Sequence, residues 1–364
     1  MQATLLTELA LYNFRNYTER VFYFRPGLHL LTGPNGAGKT NLLEAIAYLS
    51  TGRSFRFHQD RDLVTLGRPG FRLRACLKKG NQGSEIDIVY DGGRKKLTIN
   101  NSPHRLVDLL GLFPTVTFGP DDLYLVKGPP VIRRQFLDRE LCQVDRSYCL
   151  HLLTYRRVLL QRNLLLKQIK GGQARADQLE PWDQQLVFCG LPLVEKRQEV
   201  LRRLEGLADQ FYAVLAGASS SIALCYQPSL SPADDWLKRL AEKRDKEIIM
   251  GATLLGPHRD DFTFEVGGRS GRHYASQGEQ RSLVLALKLA ETVYFTQVLG
   301  FRPALLLDDV FSELDGNRRK ALLEVVAGEG QAFITTTQVE DIPPEVREKA
   351  FILACGGTEK GTSP

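Results

Sequence analysis

The sequence predicts an α/β fold interrupted by a helical insertion, on three observations. Residues Gly33 to Thr40 read GPNGAGKT and lie between a short apolar run, Leu28 to Leu31, and a segment with helical apolar spacing, Asn41 to Leu49. A second apolar run, Ala304 to Leu307, ends in the paired carboxylates Asp308 and Asp309. Long stretches of helical periodicity separate the two runs, so both belong to one domain that an insertion divides.

Taken in order, residues 1 to about 118 read as strands around one early helix. Phe71, Leu73, Ala75 and Leu77 alternate, as do Ile86, Ile88 and Tyr90, and Asp91-Gly92-Gly93 is a hairpin turn before Leu97-Thr98-Ile99. Period-two faces joined by such a turn predict an antiparallel sheet. From about 120 the chain is punctuated by Gly119-Pro120 and Gly128-Pro129-Pro130, and helices are expected near 131–170, 181–216 and 233–249. Gly171-Gly172 and the Ser219-Ser220-Ser221 region break them. Strands return around Phe262 to Val266, followed by a helix from Ser276 to about Val298 and the apolar strand ending at Asp308. The expected division is therefore 1–118 with 252–364 as a split head domain, and 119–251 as an inserted helical lobe.

Composition narrows the class. The 364 residues suit two or three domains, and 43% hydrophobic with 25% charged residues and no biased tract describes a globular chain. No apolar run of bilayer-spanning length is expected. The N-terminal stretch lacks a basic region and carries Glu8, unlike a signal peptide. The expectation is a cytoplasmic protein with no membrane partner. Six scattered cysteines form no CxxC pair, which argues against a zinc site. A net charge of +6 permits an anionic partner without demanding one.

The chemistry is concentrated in three places. In GxxxxGKT the glycines let backbone N–H groups turn toward phosphates, Lys39 reaches the β and γ oxygens of ATP, and the Thr40 hydroxyl coordinates Mg²⁺. The bland alternative is a glycine turn. Asp308, at the end of a buried strand, would hold Mg²⁺ through its water shell, and Asp309 would orient or deprotonate the attacking water. Many strands end in Asp merely to start a turn, so this pair takes its meaning from the loop. Ser276-Gln277-Gly278-Glu279-Gln280 opens the long helix and reads as a capping box. The same helix start, with the small Gly278, is also a seat for an anion.

These motifs, in this order, resemble those of the ABC-type ATPases, with Ser276 to Gln280 in the place of the signature and Ser312-Glu313-Leu314-Asp315 in that of the D-loop. Further strings resemble the RecF family of DNA replication and recombination-repair ATPases over essentially the whole chain. They are Asn13-Phe14-Arg15-Asn16-Tyr17, Gly52-Arg53-Ser54-Phe55-Arg56, Gly119-Pro120-Asp121-Asp122-Leu123, Arg133-Arg134-Gln135-Phe136-Leu137-Asp138 and Gly256-Pro257-His258-Arg259-Asp260-Asp261-Phe262. The resemblance implies an ABC-type P-loop ATPase head, split and carrying an antiparallel β subdomain, with a compact lobe where SMC proteins carry coiled coils. No heptad pattern for such an arm occurs between Thr40 and Ser276. It further implies ATP and Mg²⁺ as cofactors and an ATP-dependent homodimer. The expected partners are gapped duplexes and single-strand/double-strand DNA junctions at the nucleoid, with RecO and RecR in loading RecA.

By the same resemblance Arg15 and Asn16 lie near the nucleotide, as do the loop residues Gly33, Asn35, Gly36, Gly38, Lys39, Thr40 and Asn41. Ser276 and Gly278 would touch the γ-phosphate held by the opposite subunit. Two features depart from the wider ABC pattern. No glutamine occurs between Leu109 and Arg134, and Thr335-Thr336-Thr337 stands where transporters usually carry a histidine. The missing glutamine counts against the alternative of a transporter ATPase subunit. A non-hydrolysing scaffold is a further alternative.

His151 to Lys170 contains Arg156, Arg157, Arg162, Lys167 and Lys170 and no carboxylate. It reads as a basic amphipathic helix, either a solvated face or a phosphate-contacting one. Arg53, Arg56, Arg61 and Arg94-Lys95-Lys96 are other basic clusters. Without a base-reading motif, DNA binding would act on backbone and shape and depend strongly on salt. His258 and Arg259 form a turn as often structural as catalytic and stay outside the catalytic set.

Overall fold

The computed structural model describes residues 2–56, 59–216, 221–311, 316–328, 330–337, 339, 342 and 344–355. The string Ser312-Glu313-Leu314-Asp315 lies outside the described residues. The chain forms two compact units, one of Met1–Asp122, Gln210–Ser219 and Val284–Pro364, the other of Leu123–Asp209 and Ser220–Leu283.

The first unit contains two sheets. A parallel sheet has the order β14 (Phe351–Ala354), β3 (Gly27–Thr32), β13 (Gln331–Thr336), β12 (Ala304–Leu307), β8 (Thr115–Phe118). Every residue of β8, β12 and β13 is buried, which is why β12 reads as an unbroken apolar run: a parallel strand is covered on both faces. The antiparallel sheet has the order β2 (Tyr17–Tyr23), β1 (Thr4–Phe14), β4 (Gly70–Lys79), β5 (Gln82–Asp91), β6 (Arg94–Ile99), β7 (Ser102–His104). Here the predicted alternation holds. Leu73, Ala75, Ile86 and Ile88 face the core, while Arg72 on β4 pairs with Asp87 on β5 across the outer face. The turn between β5 and β6 places Gly92 at φ 53° and Gly93 at φ 82°, the left-handed pair that a two-residue hairpin loop needs.

Helix α1 (Lys39–Thr51) packs against β1, β8, β12 and β13 and is buried from Leu42 to Ser50, so its apolar residues run almost all round it. A second tie joins the sheets. The register of β1 on β4 shifts between Leu6 and Glu8, and the buried Gln331 side chain accepts the Leu6 N–H at 2.7 Å and donates to the Leu6 and Arg25 carbonyls. Buried backbone groups left out of a ladder need such a partner.

The second unit holds α2 (Tyr124–Lys127), α3 (Pro130–Val144), α4 (Arg146–Lys170), most of α5 (Glu180–Ala216), α6 (Trp236–Met250) and α7 (Gly271–Tyr274). It also holds a three-stranded sheet of order β11 (Arg269–Ser270), β10 (Asp261–Val266), β9 (Ile222–Gln227). The single helix expected over 131–170 is two, because Asp145 is extended at φ −137° and its carboxylate caps α4 by accepting the Tyr148 N–H at 2.9 Å. Strand β9 was not expected; its short apolar run is distinguished from helix only by pairing with β10. That pairing, with Arg133 to Asp261 at 2.7 Å, groups residues 252–283 with this unit rather than with the head segment in which the sequence division puts them.

Two sequence expectations change here. Arg162 is no phosphate contact: it is fully buried, 2.8 Å from Asp183, and bonded to Thr253. The expectation that no run is long and apolar enough to cross a bilayer fails for α8 (Gln277–Leu299), whose 23 residues include a window of mean hydropathy 1.3, although 72% of that window is buried inside the protein. His258 is held at both ring nitrogens, 2.6 Å from the Tyr155 hydroxyl and 3.1 Å from the Thr253 carbonyl oxygen. Burial lowers its pKa to about 4, so at neutral pH it is an uncharged packing group. The remaining elements are α9 (Gly316–Val326) and α10 (Pro344–Arg347).

Candidate functional site

Strand β3 delivers the chain into the glycine loop, which ends where α1 begins. Gly33 at φ 145° and Gly38 at φ 101° adopt conformations that side-chain-bearing residues rarely reach. Space forbids a side chain as well. A Cβ on Gly33 would lie 2.4 Å from the Cys355 carbonyl oxygen, and one on Gly38 would lie 2.7 Å from the Asn16 amide and 2.8 Å from the Tyr17 hydroxyl. The glycines thus serve close packing around the loop, in addition to freeing its N–H groups. Lys39 Nζ folds back to donate to the carbonyls of Gly33 at 2.6 Å and Pro34 at 3.0 Å. Asn35 and Gly36 are exposed at the loop tip.

Because β13 lies between β3 and β12, the carboxyl ends of all three strands meet beside the loop, where open α/β sheets bind ligands. The Thr40 hydroxyl donates to Asp308 Oδ1 at 2.7 Å. Thr335, on β13, donates to the same oxygen at 3.0 Å and accepts the Asp309 N–H at 2.8 Å. Asp309 stands at φ 52°, a left-handed turn that ends the strand and leaves its residue exposed. Burial raises the Asp308 pKa, with the Thr40 and Thr335 hydroxyls and the Arg56 charge opposing the shift and Asp309 adding to it. Thr40 and Asp308 offer a hydroxyl and a carboxylate oxygen, the hard donors that Mg²⁺ takes, and Mg²⁺ typically needs only one or two protein ligands beside phosphate and water. A hydroxyl and a carboxylate beside the phosphate loop fit that mode.

The third wall is the tip of the β1–β2 hairpin. Arg15, at φ 56°, donates its backbone N–H to the Leu63 carbonyl and Nη1 to the Asp62 carbonyl at 2.6 Å. The Asn16 side chain accepts from Asn41 Nδ2 at 2.8 Å, and the Tyr17 hydroxyl donates to the Gly38 carbonyl at 3.1 Å. Arg15, Asn16, Asn41, Arg56, Asp62 and Val64 line an open cleft of about 420 Å³.

The start of α8 belongs to the second unit. Ser276 and Glu279 make both bonds of a capping box: the Ser276 N–H donates to the Glu279 carboxylate at 2.7 Å, and the Glu279 N–H to Ser276 Oγ at 3.2 Å. Those bonds lower the Glu279 pKa. Gln280 is buried and donates to the carbonyls of Gly271 and Ala275, which fixes the turn before the exposed Ser276.

Comparison with known proteins decides the class. Residues 5–347 match the family described as the RecF/RecN/SMC N terminal domain. The DNA replication and repair protein RecF of Moorella thermoacetica is 48% identical over 365 residues, covering 100% of this chain and 98% of that protein. This chain belongs to the RecF family. The RecF of Natranaerobius thermophilus is 40% identical, with 95% of this chain and 94% of that protein covered. The solved recombination mediator protein RecF-ATP of the RecFOR pathway superposes with a TM-score of 0.88 at 33% identity over 94% of each chain. A Smc head domain derived from Pyrococcus furiosus gives 0.52 at 16% identity, a likeness of fold alone. This RecF-family chain is therefore a DNA replication and repair protein with the ATPase head of the RecF/SMC class, and not a transporter subunit.

Within the first unit the structure brings Arg15, Asn16, the loop glycines, Lys39, Thr40, Asn41 and Asp308 together. Sequence reasoning missed Glu44 and Asp62, noted Thr335 only as a departure from the wider ABC pattern, and quoted Tyr17 only within a family string. Glu44 does carry a local signal, a carboxylate on the apolar run of α1.

Proposed function

We propose that this chain is an ATP-driven DNA-repair switch, in which ATP bridges two copies and hydrolysis lets them part. The observation that supports this most is the 2.7 Å bond from the Thr40 hydroxyl to Asp308, because it joins the loop to the strand end as an ATPase needs. Lys39 would leave the Gly33 and Pro34 carbonyls for the phosphates, with Gly33, Asn35, Gly36, Gly38 and Asn41 around them and Arg15 and Asn16 on the cleft side. Thr40 and Asp308 would hold Mg²⁺, which would supply positive charge to the phosphate oxygens. Asp309, exposed at the turn, would orient or deprotonate the attacking water.

Ser276 and Gly278 would complete the site from the opposite copy, with the N-terminus of α8 facing the γ-phosphate. ATP would then contact both copies only in the closed dimer and stabilise that state alone. Turnover would be slow and stimulated by DNA. The first unit would carry the nucleotide, and the second, which includes residues 252–283, would respond to partners. Gapped and junction DNA, RecO and RecR, and the loading of RecA in the cytoplasm at the nucleoid are the expected context, in line with the RecF relatives. Sedimentation of Ser276→Arg with ATP tests the bridge: the variant should remain monomeric, and dimerisation equal to wild type would refute the contribution from the opposite copy.

A further inference from the structure

Glu44 lies on α1 one helical turn beyond Thr40, and its side chain has no exposure to solvent. A buried carboxylate is costly unless paired and hydrogen-bonded. Glu44 is both. Arg15 donates to it in bidentate fashion, Nε to Oε2 at 2.9 Å and Nη2 to Oε1 at 3.2 Å, and the Ser54 hydroxyl donates to Oε1 as well. Ser54 Oγ in turn accepts the Arg56 N–H at 2.9 Å. Arg15 and Arg56 are cationic residues lining the cleft beside the loop. One carboxylate therefore holds the Arg15 guanidinium directly and, through Ser54, the backbone of Arg56.

The fork geometry matters. A bidentate pair fixes the plane of a guanidinium, where a single bond would leave it free to turn. The backbone of Arg15 is also held in a left-handed conformation by the Leu63 carbonyl, and its Nη1 by the Asp62 carbonyl. With Glu44 in place, an incoming anion meets the Arg15 guanidinium already ordered.

We propose that Glu44 is a positioning residue for ATP, acting through Arg15 to set that guanidinium in the cleft before the nucleotide binds. This rests on the reading of the cleft and loop as the ATP site. Immobilising one long side chain at the moment of binding weakens affinity about three- to tenfold, which sets the size of the effect.

The test is a double-mutant cycle on ATP affinity in the full chain, with the thermal midpoint of each variant recorded. Glu44→Gln and Arg15→Ala should each weaken ATP about three- to tenfold, and the double variant should bind within about twofold of Arg15→Ala alone. A merely structural Glu44 would add its full loss in the Arg15→Ala background, and that result, or wild-type affinity in Glu44→Gln, overturns the proposal. Should Glu44→Gln fail to fold, Arg15→Lys keeps the charge but loses the fork. It should weaken ATP as much as Glu44→Gln was expected to, and wild-type affinity there overturns the proposal equally. Lys39→Met is the control: undiminished ATP binding in that variant would sink the site assignment itself and not the role of Glu44.

Discussion

Replacing Arg162 by methionine should destabilise the protein while leaving its DNA affinity unchanged. Arg162 is fully buried, with Asp183 at 2.8 Å, Thr253 at 2.8 Å and Glu247 Oε2 2.7 Å from Nη2, the last an ionic contact without hydrogen-bond alignment. Removing one partner of a buried pair typically costs 3–5 kcal/mol, because the remaining charge is left unpaired in a poor solvent. Here the remaining groups keep other partners: Asp183 retains Arg244 at 2.9 Å, and Glu247 retains the Leu254 N–H at 2.6 Å. The lower end, about 3 kcal/mol, is therefore expected. Urea unfolding followed by far-ultraviolet dichroism reads it as a lower midpoint at unchanged slope. Binding to gapped DNA at two salt concentrations supplies the second readout. Loss of less than about 1 kcal/mol, or a reduced salt slope with intact stability, would refute the structural role and restore Arg162 as a phosphate contact.

Other consequences concern the nucleotide site and pH. Lys39→Met should abolish ATP turnover, and Asp309→Asn should lower it by about 10²- to 10⁴-fold with ATP still bound, the usual range for a lost general base; single-turnover phosphate release measures both, and normal release in either removes its assigned role. Thr335→Val deletes the hydroxyl shared by Asp308 and the Asp309 N–H and leaves that N–H without its partner, so kcat should fall about tenfold or more at near-normal ATP affinity; a change confined to affinity would contradict this. His29 is buried among Phe24, Phe333 and Phe351, and burial lowers its pKa from 6.5 to about 4. Its folded form resists protonation, so stability is complete above pH 6.5 and falls as pH drops toward 4, by about 3 kcal/mol for this residue. His29→Phe should flatten the fall in urea midpoint between pH 7 and pH 5, and an unchanged profile would assign the loss to other groups.

Much of the fold was legible because its signals are local. The glycine loop, the hairpin at Asp91-Gly92-Gly93 and the capping box at Ser276 are each specified by residues within a few positions of one another, and each has the geometry its sequence implies. The hidden parts share the opposite property. Asp145 ends one helix and starts another through a single side-chain bond, and a helical periodicity running from 131 to 170 gives no warning of it. The cations of α4 look alike along the chain, yet Arg162 turns inward to carboxylates on α5 and α6 while Arg157 stays exposed.

The sequence by itself determined the glycine loop, the paired aspartates after an apolar strand and the cap of α8, because each depends on backbone conformations and periodicities that neighbouring residues set. Only the tertiary structure decided that Thr40 meets Asp308 across 268 positions, that Thr335 joins Asp308 to Asp309, and that Glu44 grips Arg15 and Ser54. These contacts follow from the strand order β3-β13-β12 and from the burial of α1 against both sheets. Strand order is set by the packing of the whole unit, which no short window of sequence contains.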